Sequence, residues 1–511
     1  MRHPHSSERG VRGTWALILA GFALVAQAAI SHAAPAAPEY EHLRIGWPRD
    51  ITSLDPLGYA RLSRPELNVH LHIFEHLLNR DERGQIVPHL AERYAAVDER
   101  TWRIHLRRGI KFHNGEPFTA EDVKFSFDDM KTSGRAPGLA QFVEDIENVR
   151  VVDPYIVEVR TKAPLPTLPA RLTTYTLMVS AKQRKGQDPA SFSDRPLGTG
   201  PFKFVEWRRG DRIVLERNEQ YWKGMPRIKR VTIFIIPDDN TRVAALREGS
   251  IDIAVDVPEP LTDRVKNDPR LEITAAPSVR VQWIVLRHDV SPLNDVRVRQ
   301  ALNYTVNKDE LVQRLLRGYG LPMGQPVPPY FFGYDPEVKP YPFDPRKARQ
   351  LLAEAGYERG FEVTFRTVPI WEETARAVAG YLATFGVRTR FEVVEYGTMY
   401  SEFLGRRAAP LQYYSWGNWS LMDIDGTLPF VFACGGQWSY YCNPRLDALI
   451  EQMKTVDVRK RLRLAQQASR MLHEEAPVIY LFAQYDIHGK RKGLPEFTAR
   501  TDNTVRFDWV R

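Results

Sequence analysis

The sequence predicts an α/β fold in which strands and helices alternate along most of the chain. The chain has 511 residues, of which 43% are hydrophobic, so it can bury a large core and form more than one domain. An early segment has the pattern of a strand, a turn and a helix, and a later one has the pattern of a β-α-β unit. We find no internal repeat that would indicate a solenoid instead.

The first forty residues have the pattern of a secretory signal peptide. Arg2, Arg9 and Arg12 precede an apolar run from Trp15 to Ala29, which is too short to span a bilayer comfortably. Small residues then lead to a cleavage site that we expect after Ala33. Residues 1–33 would thus be removed on export and leave a soluble periplasmic protein, whereas an uncleaved anchor is the alternative.

The charge distribution argues against a nucleic-acid partner. The formal net charge is +8, and removal of residues 1–33, with three arginines and one glutamate, leaves +6. Basic residues are mixed with acidic ones along the chain, which is typical of solvated helix faces.

The two cysteines are predicted to form a disulfide. Cys434 and Cys442 are eight positions apart, and an oxidising compartment favours closure of such a loop. The competing interpretation, a thiol pair for metal or redox chemistry, lacks the close spacing that such sites use.

The segment around His113 and Glu116 is predicted to be a corner of the fold. Alternating apolar residues predict a strand over 102–106, and Asn114-Gly115 predicts a turn, after which a helical pattern begins. His113 and Glu116 therefore have a structural explanation, and no nucleophile or second base accompanies them in this pattern.

The second half of the chain predicts a series of helices and strands. In chain order they are a helix after Asp344 that stops at Gly356, a strand at 361–368, a helix at 372–385, a strand at 387–394, a helix at 399–405 and a strand at 411–416. The β-α-β part favours a right-handed crossover between parallel strands. Because ligands collect beyond the carboxyl ends of such strands, segment 416–419 is expected at a binding edge.

Motifs for catalysis and cofactor binding are missing from the sequence, so we predict a protein that is not an enzyme and carries no cofactor. There is no GxSxG, P-loop, HExxH or dinucleotide fingerprint after a strand. His72 and His76 would share a face of a helix, and we interpret them as partly exposed imidazoles rather than a metal site. Asp423 and Asp425 form a close carboxylate pair, so a secreted hydrolase is one alternative.

Seven ordered segments carry a resemblance to a known family. The most specific one runs from Leu90 to Val123 and includes Lys-Phe-His-Asn-Gly and Ala-Glu-Asp-Val. The others are Ser53-Leu-Asp-Pro56, Gly198-Thr-Gly-Pro-Phe202, Asn218-Glu-Gln-Tyr-Trp222, Gly249-Ser-Ile-Asp252, Val296-Arg-Val-Arg-Gln-Ala-Leu302 and Lys347 to Gly356. The chain resembles the family 5 extracellular solute-binding proteins of ABC importers, which include dipeptide, oligopeptide and nickel-binding proteins.

The resemblance implies a two-lobed periplasmic binding protein of type II, cluster C. A ligand would be held between the lobes and passed to an ABC transporter permease in the inner membrane, and the protein would be a monomer. The implied domains are a lobe I core at 39–60, 196–277 and 485–511, an extra subdomain inserted in lobe I at 61–195, and lobe II at 278–484.

The resemblance also implies ligand-binding residues, with one departure. In peptide-binding members a Trp is followed three positions later by an Asp that binds the peptide amine. Trp416 matches, but Trp419 occupies the third position, beside Asn418. Asn418 or Asp423 could replace the missing Asp, or the ligand could lack a free amine. Further candidates are Tyr414 and Trp283, together with two arginines that could bind a carboxylate, Arg366 and Arg280.

The leading hypothesis from the sequence is a binding protein for a small peptide or peptide-like solute. The alternatives are a metal chelate, an opine-like compound or an oligosaccharide on the same fold. Two alternatives from other functional classes are the secreted hydrolase and a periplasmic sensor or chaperone partner.

Overall fold

The structure is a computed structural model that describes residues 39–58, 64–132, 142–185, 187, 192, 194–417, 421–494 and 497–508. The predicted signal peptide, Asn418 and Trp419 lie outside the described residues.

The strands of the described chain are numbered in sequence order. They are β1 (Tyr40–Trp47), β2 (Leu78–Arg80), β3 (Ile86–Pro88), β4 (Ala91–Asp98), β5 (Thr101–Leu106), β6 (Ile146–Asp153), β7 (Ile156–Thr161), β8 (Phe202–Arg208), β9 (Arg212–Arg217), β10 (Ile228–Ile235), β11 (Ile253–Ala254), β12 (Leu271–Leu286), β13 (Gly320–Pro322), β14 (Phe361–Thr367), β15 (Val387–Val393), β16 (Leu411–Gly417) and β17 (Val478–Arg491).

The α-helices are numbered in the same way. They are α1 (Arg64–Ile73), α2 (Ala120–Thr132), α3 (Leu168–Arg171), α4 (Ala181–Arg184), α5 (Asp239–Glu248), α6 (Thr262–Lys266), α7 (Val296–Thr305), α8 (Lys308–Arg314), α9 (Pro345–Glu354), α10 (Glu372–Ala383), α11 (Tyr396–Leu404), α12 (Pro444–Gln452) and α13 (Val458–Glu475). No helix within these residues is both long enough and apolar enough to cross a membrane.

A mixed sheet runs through the whole molecule. Its strand order is β15-β14-β16-β12-β17-β11-β1-β10-β9-β8, with β13 paired to β17. The pairs of β14 with β15 and β16, and of β1 with β10 and β11, are parallel. The two long central strands, β12 and β17, pair along most of their length and connect both halves of the sheet.

Smaller sheets are formed by the part of the sequence that lies between β1 and β8, two strands of the mixed sheet. Strands β4-β5-β7-β6 make an antiparallel sheet, and β2 pairs with β3. These strands and α1 to α4 lie within the range 61–195, which the sequence predicts as an inserted subdomain.

The apolar cores divide between the two halves of the mixed sheet. One pair of clusters, represented by Ile45 and Val243, covers the half around β1. Another pair, represented by Phe432 and Phe365, covers the half around β14 and β16. A sheet with buried residues on both faces in each half agrees with the predicted α/β architecture of two lobes.

The corner around His113 folds as predicted. Strand β5 is followed by a turn in which Gly115 has a φ of 89°, a backbone conformation that favours glycine. The imidazole Nε2 of His113 lies 3.0 Å from the carbonyl oxygen of Gly200, and Lys182 donates a 2.5 Å hydrogen bond to Glu116. Burial lowers the pKa of His113 to about 4, so a neutral ring connects two loops.

The predicted elements of the second half are also present, with shifts of one to three residues at their ends. The Asp344 carboxylate accepts hydrogen bonds from the backbone N–H groups of Arg346 and Lys347, both 3.0 Å, and so begins α9. Gly356 follows the helix with a φ of 86°. Local capping and alternation thus set this part of the fold.

Candidate functional site

Three strands end at the same edge of the sheet. Strand β14 pairs in parallel with both β15 and β16, so their carboxyl ends, at Thr367, Val393 and Gly417, point the same way. The chain segments that leave this edge are the expected place for a ligand in an open α/β sheet.

Aromatic side chains cover this edge. Successive ring centroids are 6.2, 6.5, 5.0, 6.3 and 6.4 Å apart. Tyr396, Tyr400 and Phe430 are 51%, 40% and 46% exposed. These three exposed rings share a row with two half-buried rings and one buried ring, and exposed apolar surface of this kind marks a place where a partner or ligand binds. We call it the aromatic wall; in the order of these contacts it consists of Trp371, Tyr396, Tyr400, Trp438, Trp416 and Phe430.

Trp416 is held in place while one side of its ring stays accessible. It is half-buried, and its indole N–H donates a 3.3 Å hydrogen bond to the carbonyl oxygen of Gly426. Tyr414 is buried beneath the wall, with its ring 5.4 Å from that of Trp438. Burial raises the pKa of Tyr414. Trp416 can therefore contact a solute directly, whereas Tyr414 supports the wall from below.

Trp283 requires a correction. It was predicted as a ligand contact, but its side chain is fully buried and its ring lies 5.8 Å from that of Phe432. Strand β12 is central in the sheet, so a side chain in its middle faces a core on either side. Trp283 is thus a core residue in this structure.

Arg366 is bound to carboxylates of the protein itself. Its guanidinium lies 2.6 Å from Glu392 and also forms an ion pair with Glu402. These two acidic partners already bind the guanidinium N–H groups that a ligand carboxylate would need.

Asp423 is likewise engaged. Its buried carboxylate accepts hydrogen bonds of 2.8 and 2.6 Å from Arg461, and a further one of 3.0 Å from the backbone N–H of Asp425. Burial raises the pKa of Asp425, and the neighbouring Asp423 raises it further. A ligand amine would have to compete with Arg461 for Asp423.

Arg280 has a different environment. The pairing of β12 with β17 shifts register between Pro277 and Val281, and Arg280 lies within this bulge. Within the described part of the chain its guanidinium has neither an ion pair nor a hydrogen bond. The side chain is accessible, although burial is the first cause that lowers its pKa, followed by Arg64. Bulges of this kind commonly redirect side chains at functional sites.

A charged cluster that the sequence analysis missed lies beside Arg280. The guanidinium of Arg64, at the start of α1, lies 2.7 Å from Asp256 and 3.4 Å from Asp486. The backbone N–H of Asp256 donates to Nδ1 of His488, 3.2 Å away. Asp486 and His488 belong to β17, whereas Asp256 follows β11. No local pattern joins Arg64, Asp256 and the two residues of β17, because Arg64 and Asp256 are 192 positions apart and Asp256 and His488 are 232 apart.

Comparisons with known proteins identify the family. The profile described as "Bacterial extracellular solute-binding proteins, family 5 Middle" matches residues 85–438. The chain belongs to this family. It is therefore a solute-binding protein of the kind that serves ABC importers.

Individual relatives cover most of this solute-binding protein. The glutathione-binding protein GsiB of Pectobacterium atrosepticum is 28% identical over 479 residues, which cover 89% of this chain and 91% of that one. The heme-binding protein A of Haemophilus influenzae is 30% identical over 432 residues, covering 77% and 78%. The dipeptide-binding protein of Escherichia coli is 29% identical over 436 residues, covering 78% and 81%.

Solved structures support the same fold for the solute-binding protein. HbpA2 from Haemophilus parasuis superposes with a TM-score of 0.84 at 25% identity, covering 92% of this chain and 99% of that one. NikA from Brucella suis in complex with Fe(III)-EDTA superposes with a TM-score of 0.78 at 23% identity, again covering 92% and 99%.

The histidine prediction for the solute-binding protein is partly wrong. His72 and His76 are buried rather than partly exposed, and His76 lies beyond the end of α1 at Ile73. Nδ1 of His72 donates to the Asn68 carbonyl oxygen at 2.7 Å, and Nε2 accepts from the Phe507 N–H at 3.2 Å. Among the described residues, no three His, Cys, Asp or Glu side chains are grouped so that they could hold a metal.

Cys434 and Cys442 lie close to the aromatic wall of the solute-binding protein. Their Sγ atoms are 2.08 Å apart, at the distance of a disulfide bond. The loop that they enclose includes Trp438, so the disulfide restricts the conformations of the segment that carries this ring.

A cavity of about 400 Å³ lies in another part of the protein. Lys308, Met323 and Tyr341 are among its lining residues, and no member of the aromatic wall is. The Lys308 ammonium donates hydrogen bonds to the carbonyl oxygens of Asn303, at 2.9 Å, and Tyr341, at 3.2 Å. Lys308 thus joins two segments around this cavity, and the cavity is separate from the strand-end site.

Proposed function

We propose that this family 5 protein captures a small peptide or peptide-like solute between two lobes and delivers it to an ABC permease in the inner membrane. Lobe I would comprise 39–60, 196–277 and 485–511 with the inserted subdomain at 61–195, and lobe II would comprise 278–484. The observation that carries the proposal is the aromatic wall at the carboxyl ends of three neighbouring strands, because three of its rings are exposed at the edge where an open α/β sheet binds ligands.

The chemistry of the cleft fits a peptide-like solute. The wall accommodates apolar or aromatic side chains, and the guanidinium of Arg280, which has no partner among the described residues, suits a carboxylate. Relatives named as dipeptide-binding and glutathione-binding proteins support a peptide-like solute, which carries a carboxylate. We therefore retain Trp416 and Arg280 as ligand contacts, together with Asn418 and Trp419, which come next after Gly417 in the sequence.

Other solutes are the second candidates on the same fold. Solved relatives include NikZ from Campylobacter jejuni in complex with Ni(L-His) and AgaA in complex with agropinic acid. A metal chelate, an opine-like compound or an oligosaccharide thus remains the alternative. A hydrolase that uses Asp423 and Asp425 is disfavoured because Arg461 already binds Asp423. The proposal includes no catalysis, no cofactor and no nucleic acid.

The proposed location is the periplasm. Cleavage after Ala33 would export the protein, and the oxidising compartment would keep the disulfide between Cys434 and Cys442 closed. The protein would act there as a monomer.

The experiment is to purify the mature protein from periplasm, identify the solute that it retains by native mass spectrometry, and measure small-angle scattering with and without that solute. We expect a peptide-like mass and a smaller radius of gyration in the loaded form. An amine-free sugar or chelate would move the assignment to the second candidates, and an unchanged radius at saturation would contradict capture between closing lobes.

A further inference from the structure

Two oppositely charged side chains on neighbouring strands influence each other but form no ion pair among the described residues. In the pairing of β12 with β17, Asp486 lies opposite Ala276, and Arg280 lies in the bulge that starts after Pro277. Arg280 contributes to the electrostatic environment of Asp486, yet the two form no ion pair among the described residues. The two side chains are therefore close enough to affect each other electrostatically, but no ion pair joins them in the described residues.

Asp486 carries negative charge that the protein compensates only in part. Asp486 and Asp256 share a single arginine, Arg64, which lies closer to Asp256. Burial lowers the pKa of His488 to about 4, so this neighbour is neutral near pH 7. The side chain of Asp486 is 12% exposed, and its Oδ2 is buried without a hydrogen bond. Burial and Asp256 also raise the pKa of Asp486. A cation bound at Asp486 would compensate the remaining negative charge of its carboxylate.

Arg280 carries the complementary charge. Its guanidinium is accessible and, within the residues described, unpaired. Arg280 pairs across the ladder with Gly417, the residue after Trp416, so it adjoins the aromatic wall. A Cβ at position 417 would lie 3.4 Å from Cγ of Arg280, at ordinary van der Waals distance, so the two residues are direct neighbours.

We propose that Asp486 and Arg280 bind the two ends of a zwitterionic solute, with the Asp486 carboxylate accepting from an ammonium group and the Arg280 guanidinium donating to a carboxylate. This inference rests on the proposed function, since it concerns the same cleft. The amine anchor of this protein then lies on β17, in the part assigned to lobe I, rather than in the loop after Trp416. The aromatic wall takes an apolar side chain of the same solute.

The test uses the mature protein and three matched probes in isothermal titration: L-phenylalanyl-L-phenylalanine, its N-acetyl derivative and its C-terminal amide. We expect the free dipeptide to bind at least about tenfold more tightly than either derivative, because each derivative lacks the charged group that one of the two side chains would bind. Equal affinity for the N-acetyl derivative would overturn the ammonium site, and equal affinity for the amide would overturn the carboxylate site. If none of the three binds, the zwitterion proposal fails, whereas the proposed function is still decided by the solute retained from periplasm.

Variants assign each end to its residue. Asp486→Asn should abolish the preference for the free amine over the N-acetyl form, and Arg280→Gln should abolish the preference for the acid over the amide. Arg388→Gln removes an exposed arginine on β15 and serves as the control that keeps both preferences. Should Asp486→Asn unfold, the ranking of the three probes on the unaltered protein still decides the proposal.

Discussion

The guanidinium of Arg461 binds both carboxylate oxygens of Asp423, at 2.8 and 2.6 Å, and both side chains are buried. Arg461 belongs to α13, whereas Asp423 follows the strand that carries Trp416. The pair therefore fastens the loop below the aromatic wall to a helix of the core.

Removal of Arg461 should destabilise the protein strongly. Arg461→Met removes the guanidinium that pairs with the buried Asp423 carboxylate, and we expect the free energy of unfolding to fall by about 3 to 5 kcal/mol. The measurement is urea denaturation at pH 7. The control is Arg463→Met on the same helix, an exposed position where a change within about 0.5 kcal/mol is expected. Equal effects of the two variants would show that the pair has no special role.

Truncation of Trp416 should weaken binding without a comparable loss of stability. Trp416→Ala removes the ring between Phe430 and Trp438, and we expect a loss of about tenfold or more in affinity for the solute retained from periplasm. Phe343→Ala changes another exposed aromatic side chain, away from the wall, and should leave the affinity unchanged. Titration calorimetry and thermal melting on the same samples separate the two effects. An unaltered affinity in Trp416→Ala would remove the wall from the binding site.

The elements from α9 to β16 could be predicted from the sequence because short-range patterns set them. The cap at Asp344, the turn glycine at Gly356 and the alternation in β14 each depend on residues within about ten positions. The order of the resembling segments further identified the family and hence the fold.

The composition of the cleft could be predicted only in part, since burial depends on what packs against a strand. Trp283 and Trp416 are alike in the sequence, but one lies in the middle of a central strand and the other at a strand end. Arg366 and Arg280 differ because acidic partners on β15 and α11 reach only the first. Asp486 was missed because its neighbour Arg64 is more than 400 positions away in the sequence.

A contact between the predicted lobes should stabilise the closed form. Leu421, in the loop after β16, packs against Ala170 and Tyr175 of the predicted inserted subdomain, and Arg80 donates a 2.5 Å hydrogen bond to its carbonyl oxygen. Leu421→Ser should disfavour closure by about 2 kcal/mol through loss of apolar burial. We expect a larger radius of gyration of the solute-loaded protein in small-angle scattering. The exposed Leu404→Ser is the control, and identical scattering from both variants would argue against a closing contact.

Acid should destabilise the protein between pH 6.5 and pH 4. Burial lowers the pKa of His72 and of His488 to about 4, from an ordinary value of 6.5. Between these values the unfolded chain binds protons that the folded protein excludes, so this part of the stability is complete above pH 6.5 and is lost as the pH falls. Each histidine contributes about 1.4 kcal/mol per pH unit in that window. Over the whole window this amounts to about 3 kcal/mol for each histidine. Urea denaturation at pH 7, 6, 5 and 4 measures the slope. His72→Gln should reduce the slope by one histidine's share, because the glutamine binds no proton in either state. A variant with the slope of the unaltered protein would mean that His72 takes up its proton without unfolding.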